Sequence, residues 1–290
     1  TTLFRSASFV GEFGGKVSVI GTPGEETRGG KIGLLEEGIF EGVDFALMVH
    51  PTSGPNMIMR SARACTSLFV NFRGVSAHSS TPERGINALA AVMSTFQNID
   101  TLRSVFQPQD NVNGVVTNGG GASNVIPDFA ACEFCLRSQT LRNLEQLIEK
   151  IQRCVSSAEL LTGAKAEIRV DPLFAERYPN RVMGELFRTN LEILGETAVY
   201  PDPNTFYGSS DIGNVSLRLP TIHEYLSIAP GTVNAHSAAF AEAAVSRRAD
   251  EVCLLGAKSL AMTGYDLLSS EKMRKEARAS FESQVPDCYR

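Results

Sequence analysis

The spacing of apolar residues changes period several times along the chain. "KVSVIG" (16–21) is rich in β-branched residues and bounded by Gly and Pro, so it predicts a strand. "KIGLLEEGIF" (31–40) places Ile32, Leu35 and Ile39 on one side of a helix. "VDFALMV" (43–49) is a short continuous apolar run, as expected of a buried parallel strand. "TSLFVNFRG" (66–74) alternates and predicts a strand, and residues 85–106 follow as a long amphipathic helix. Residues 111–120 read as a strand entering a Gly-rich turn, and 127–138 as another strand. A helix is expected over 140–161 with Thr140 as its cap, then a strand over 164–171. Beyond these, the pattern predicts a helix over 180–195 ended by Gly, a strand over 221–228 and a helix over 238–263. The charged run "SSEKMRKEARASFES" predicts one more helix.

Strands and helices alternate throughout, which points to α/β architecture. The elements between residues 63 and 174 follow the order β-α-β-β-α-β, the ferredoxin-like arrangement. They are expected to form a domain inserted between residues 1–62 and 175–290 of a second domain. No internal repeat or low-complexity segment interrupts this plan.

Composition narrows the function classes. The 290 residues carry a net charge of -5 and no Lys/Arg-rich run, which argues against a nucleic-acid partner. No apolar stretch approaches the length needed to cross a bilayer, so no membrane partner is expected. The opening "TTLFRSASFVGEF" lacks the basic start and long apolar core of a signal peptide, and it lacks an initiating Met. The six cysteines are too scattered for a disulfide framework. Cys132 and Cys135 form a CxxC, but on a strand they point to opposite faces and cannot readily share a metal. Small buried thiols in a reducing, cytoplasmic setting are the expectation.

The candidate chemistry gathers at predicted strand ends. Glu25 and Glu26 follow "KVSVIG", and His50 ends "VDFALMVHP". Ligands in open α/β sheets bind beyond the carboxyl ends of strands, so these residues could form a divalent-metal site. The competing reading, in which the Glu pair is solvated and His50 is a turn residue before Pro51, carries equal weight on spacing alone. His236 lies in a loop opening a helix, where a capping role competes with a ligand role. His78 falls in the inserted segment and, taken alone, reads as an exposed loop histidine. His223, beside Glu224 within a strand, reads as packed.

Five ordered motifs carry a resemblance: "GTPGEETRGGKIGLLEEGIFEGVDFALMVHP", "FRGVSAHSSTPERGINAL", "SNVIPD", "GSSDIGNVS" and "NAHSAAFAEAA". Together they resemble the M20 family of metallopeptidases and amidohydrolases over essentially the entire chain. The similarity is greatest to its peptidase M20 domain-containing protein 2 and aminobenzoyl-glutamate hydrolase branch. The resemblance implies a zinc-peptidase-like α/β catalytic domain carrying an inserted ferredoxin-like dimerisation, or lid, domain. It implies that Glu25 is the general base activating a water, that Glu26 and His236 ligate one metal, and that His50 ligates a second. It further implies that His78 reaches the partner subunit's site to polarise the scissile carbonyl, and that Asn124 and Arg137 hold a substrate carboxylate. Asp211 in "GSSDIGNVS" is read as lining or supporting the site. The cofactor implied is a divalent metal, two zinc ions with manganese or cobalt as alternatives. The partners implied are a small amide or dipeptide substrate and a second copy of the chain.

One departure from the family pattern stands out. The family's "HACGHN"-like or "HxD"-like ligand motif does not occur before Glu25. The expectation is a chain lacking its N-terminal portion, weakly active or inactive as written. The reading that competes with a metal-dependent amidohydrolase is a non-catalytic dimeric binding or scaffold protein of the same fold.

Overall fold

The computed structural model describes residues 10–202, 205 and 208–290. Contacts divide the chain into two compact units, one running from Arg63 to Glu176 and the other formed by the segment up to Ala62 with Arg177–Arg290. The described strands are β1 (Ala46–Ser53), β2 (Ala64–Arg73), β3 (Ala77–His78), β4 (Asn111–Asn118), β5 (Val125–Ile126), β6 (Phe129–Ser138), β7 (Lys165–Val170) and β8 (Thr221–Ala229).

The Arg63–Glu176 unit is a four-stranded antiparallel sheet in the order β4-β6-β2-β7, with the helices Ala88–Leu102 and Leu141–Thr162 packed on one face. That order follows from the βαββαβ sequence: the first helix carries the chain one place beyond β2 to β4, β6 fills the gap between them, and the second helix returns the chain to β7 on the other side of β2. Strict alternation on β2, and on β6 from Cys132 onward, buries Leu68, Val70, Phe72, Phe134 and Leu136 against Leu144, Leu147 and Ile151. Asn87 and Thr140 cap the two helices by accepting the backbone N–H groups of Ala90 and Asn143. Cys132 faces this core and Cys135 the other side of the sheet, as the alternation requires. A separate small pairing joins β3 to β5.

In the other unit, β1 and β8 run parallel, with His50 opposite Tyr225 and Met48 opposite His223. One face of the pair packs Ile222, Leu226, Leu47 and Val49 against the helices Arg181–Ile193 and Arg247–Ser269. The other packs Ala46 and Met48 against the helices Gly30–Glu36 and Ile212–Ser216, through Leu35, Ile212 and Val215. The sheet is therefore covered on both sides, which explains the unbroken apolar pattern of its strands.

Four expectations are corrected. Residues 16–21 form no strand, because a β-branched run needs a ladder partner and no described segment pairs with it; Val19 is 73% exposed. The helix expected to reach Ile39 ends at Glu36 and leaves Ile39 exposed. Strand β1 continues through Pro51 to Ser53, so His50 lies within it rather than at its end. The helix expected over 238–263 is two helices, Ala238–Ala244 and Arg247–Ser269. The break comes where Ser246 caps the second by accepting from Ala249 N–H at 3.2 Å.

Candidate active site

Glu25 and Glu26 open a four-residue helical turn, Glu25–Arg28, instead of leaving a strand. Gly24 (φ 79°) and Gly29 (φ 62°) flank this turn in the left-handed region, where a side chain would be strained. The turn continues into the helix Gly30–Glu36, whose start is anchored in the interior. Lys31 Nζ lies 2.8 Å from Asp211 Oδ1, and Lys31 backbone N–H donates to Asp211 Oδ2 at 3.0 Å. Both side chains are almost fully buried. Asp211 thus spends both oxygens fixing the segment that carries the glutamates.

His50 sits on the face of β1 that also bears this anchor. Its Nδ1 is 2.6 Å from the carbonyl oxygen of Pro51. A carbonyl only accepts, so the ring proton is on Nδ1 and Nε2 carries the free lone pair. Burial lowers the His50 pKa, while the Pro51 hydrogen bond and the nearby Glu25 and Glu26 charges oppose that shift. A neutral imidazole with an available Nε2 and carboxylates close enough to act on it is the donor chemistry of a divalent-metal ligand.

The ring of His50 packs against two aromatic neighbours on β8. His223 is perpendicular to it with centroids 5.4 Å apart, and Tyr225 is tilted at 5.2 Å. His223 is buried, and burial followed by the Arg177 charge pushes its pKa well down. On the opposite face of β8, Glu224 is fully buried. It accepts the Met59 backbone N–H at 2.7 Å, its Oε1 has no partner, and burial raises its pKa to about 7. Met59 itself has a left-handed backbone, φ 53°.

His236 is exposed, with φ 58°, in the loop before the helix Ala238–Ala244. That loop is tied to the end of β1, where Ser53 Oγ donates to Val233 oxygen at 2.6 Å. Among the described residues no group of three or more His, Cys, Asp or Glu is gathered so as to hold a metal ion. The donor types fit such an ion, and the Glu25–Glu26 turn and His50 are brought together, but a complete ligand shell is not assembled from these residues.

In the Arg63–Glu176 unit, the β3–β5 pairing brings His78 and Asn124 together: Ser79 N–H donates to Asn124 oxygen at 2.9 Å. The Ser80 backbone N–H donates to His78 Nδ1 at 3.1 Å, so in the neutral ring the proton sits on Nε2, on an exposed side chain. Arg137 belongs to the four-stranded sheet, opposite Cys65 and Asn111, on the face away from the helices. The Arg137 charge, after burial, lowers the pKa of the neighbouring Arg63. Sequence reasoning missed Lys31 and Arg177. Lys31 lies within a quoted motif and Arg177 outside all of them, but in both cases only the long-range partners reveal the role.

Comparison with known proteins places this architecture. Residues 60–161 match the M20 peptidase dimerisation domain. The chain is 33% identical to Xaa-Arg dipeptidase of Mus musculus over 94% of its own length and 64% of the relative's. It is 30% identical to one of the subunits of p-aminobenzoyl-glutamate hydrolase from Escherichia coli, over 59% of its length and 36% of the relative's. The fold is shared with the Bacillus subtilis YXEP protein, a dinuclear metal binding peptidase from the M20 family. That match has a TM-score of 0.58 and 18% identity, covering 92% of this chain and 70% of that one. The chain spans 64% of the mouse dipeptidase, a little under two thirds of its length. Motifs, dimerisation-domain match and relatives agree on one likeness, to the M20 family of metallopeptidases and amidohydrolases.

Proposed function

We propose that the protein hydrolyses an amide or peptide bond in a small substrate bearing a free carboxylate, with divalent metal as cofactor. The observation that carries this reading is the state of His50: a half-buried, neutral ring with its Nε2 lone pair free beside the Glu25–Glu26 turn. Glu26, His50 and His236 are assigned as ligands, and their nitrogen and oxygen donors suit zinc, manganese or cobalt. A bound divalent ion would supply a Lewis acid and bring the pKa of a water towards neutrality. Glu25 takes the proton of the attacking water and passes it to the leaving nitrogen. His78, with its Nε2–H exposed, donates to the developing oxyanion. Asn124 and the planar fork of Arg137 receive the substrate carboxylate.

The relatives' names support a dipeptide with a basic carboxyl-side residue, or aminobenzoyl-glutamate, as substrate class. A homodimer through the Arg63–Glu176 unit fits both the dimerisation-domain match and the outer position of β4, whose Val115 and Val116 are exposed. In that dimer His78 serves the partner's site. Release of arginine from Xaa-Arg dipeptides by the full-length, metal-replete protein, abolished by chelation, tests the reading. Failure to cleave any dipeptide or aminobenzoyl-glutamate would contradict it.

A further inference from the structure

We propose that Arg177 and His223 are positioning residues for His50, acting through ring tautomer and orientation rather than by touching substrate. The proposal rests on the reading of His50 as a metal ligand.

Arg177 is 4% exposed and follows directly on the boundary of the Arg63–Glu176 unit. Its guanidinium donates to the carbonyl oxygens of Arg60 at 2.8 Å and Ser61 at 3.3 Å, and to the Tyr225 hydroxyl oxygen at 3.2 Å. It also contacts His223 Nδ1. A guanidinium offers donors only and stays charged. His223 Nδ1 must therefore be the accepting lone pair, and the proton of the neutral ring sits on Nε2. That Nε2 is buried and has no hydrogen-bond partner. His50 has the opposite tautomer, Nδ1–H, fixed by Pro51 oxygen.

Three rings then lock together. His50 and His223 stand at 84°, an arrangement that sets the positive edge of one ring against the negative face of the other. Tyr225 closes the triangle, 5.2 Å from His50 and 5.0 Å from His223. Arg60 stacks on Tyr225, its guanidinium carbon 4.3 Å from the ring centroid. Turning the His50 ring toward β8 would displace His223 or Tyr225, and both are held by the same buried guanidinium. The result is a preset direction for the His50 lone pair, reached through a residue 46 positions before His223 in sequence.

The test combines imidazole NMR of protein labelled with ¹⁵N-histidine and titration with Co²⁺. In the parent protein the expected signals are an Nε2–H tautomer for His223 and an Nδ1–H tautomer for His50. Arg177→Met is expected to give His223 mixed tautomers, to shift the His50 ring signals and to weaken Co²⁺ binding at least tenfold. Arg177→Lys, which keeps the charge but loses the fork, should fall between. His223→Asn supplies a second variant, since its side-chain oxygen still accepts from Arg177 while the ring against His50 is gone. It should remain folded by circular dichroism and still weaken Co²⁺ binding. An Nδ1–H tautomer for His223 in the parent would overturn the proposal. So would unchanged His50 signals and Co²⁺ affinity in folded Arg177→Met and His223→Asn proteins. If the parent binds no Co²⁺, the ligand reading fails separately, and the response of the His50 signals to the two variants still decides the positioning claim.

Discussion

Lys31 and Asp211 are 180 residues apart in sequence and meet in the interior through two hydrogen bonds, one from the Lys31 side chain and one from its backbone. The pair fixes the start of the helix that follows the Glu25–Glu26 turn. Removing one partner leaves the other buried without its counter-charge, a loss of about 3–5 kcal/mol. Asp211→Ala should therefore lower unfolding stability by that amount in denaturant titrations. The double variant Lys31→Met, Asp211→Leu should be less destabilised than Asp211→Ala alone.

Glu224 makes a pH-dependent contribution of definite sign. Its folded pKa of about 7 lies above the ordinary 4.5, so the native state holds the proton more tightly than the unfolded chain. The stability it contributes is complete below pH 4.5 and is lost as pH rises through about 7, a change of about 3 kcal/mol. Glu224→Gln cannot ionise and keeps an acceptor for Met59 N–H. The difference in stability between this variant and the parent should grow in favour of the variant between pH 4.5 and pH 8. Parallel stability curves over that range would refute the assignment.

The His78 side chain is exposed and its described hydrogen bonds are to Ser80 alone, so its loss should leave stability within about 0.5 kcal/mol of the parent. In its proposed role as oxyanion donor it should nonetheless contribute about 100- to 1000-fold to kcat. His78→Ala mixed with Glu25→Ala should recover activity once mixed dimers form, because one of the two shared sites is then intact. Mixed dimers that form without recovery would argue against sharing.

The thiols should divide by burial. Cys253 and Cys288 are exposed and should be alkylated first. Cys132 and Cys154 are buried, and burial raises both pKa values, that of Cys132 to about 12. Both should resist alkylation at pH 8 until the protein is unfolded, since the thiolate is the reactive form. Labelling of Cys132 in the native protein would contradict its placement beneath the helices.

The parts of the fold that were legible in the sequence are those whose pattern is answered locally. In the Arg63–Glu176 unit, alternation on β2 and β6 and the Thr140 cap each point to the structure found. "KVSVIG" misled because β-branching expresses itself as a strand only beside a partner, and that run pairs with no described segment. Ser246 was a readable signal for the second helix start, hidden by the alanine-rich run before it. At the candidate site, Glu25, Glu26 and His50 were singled out by residue type and order. Asp211 was also singled out, but its partner Lys31 and the Arg177–His223 contact beside His50 join residues across long sequence separations. A buried ion pair or a ring tautomer leaves no periodic trace in the chain.

The central claim is metal-dependent hydrolysis with Glu25 as the general base. The most direct test compares the full-length parent with Glu25→Gln, measuring bound metal and turnover of an Xaa-Arg dipeptide on the same preparations. The account predicts unchanged metal content and a fall in kcat of about 100- to 10,000-fold, the range for loss of a general base. Undiminished turnover by Glu25→Gln at equal metal content would contradict it.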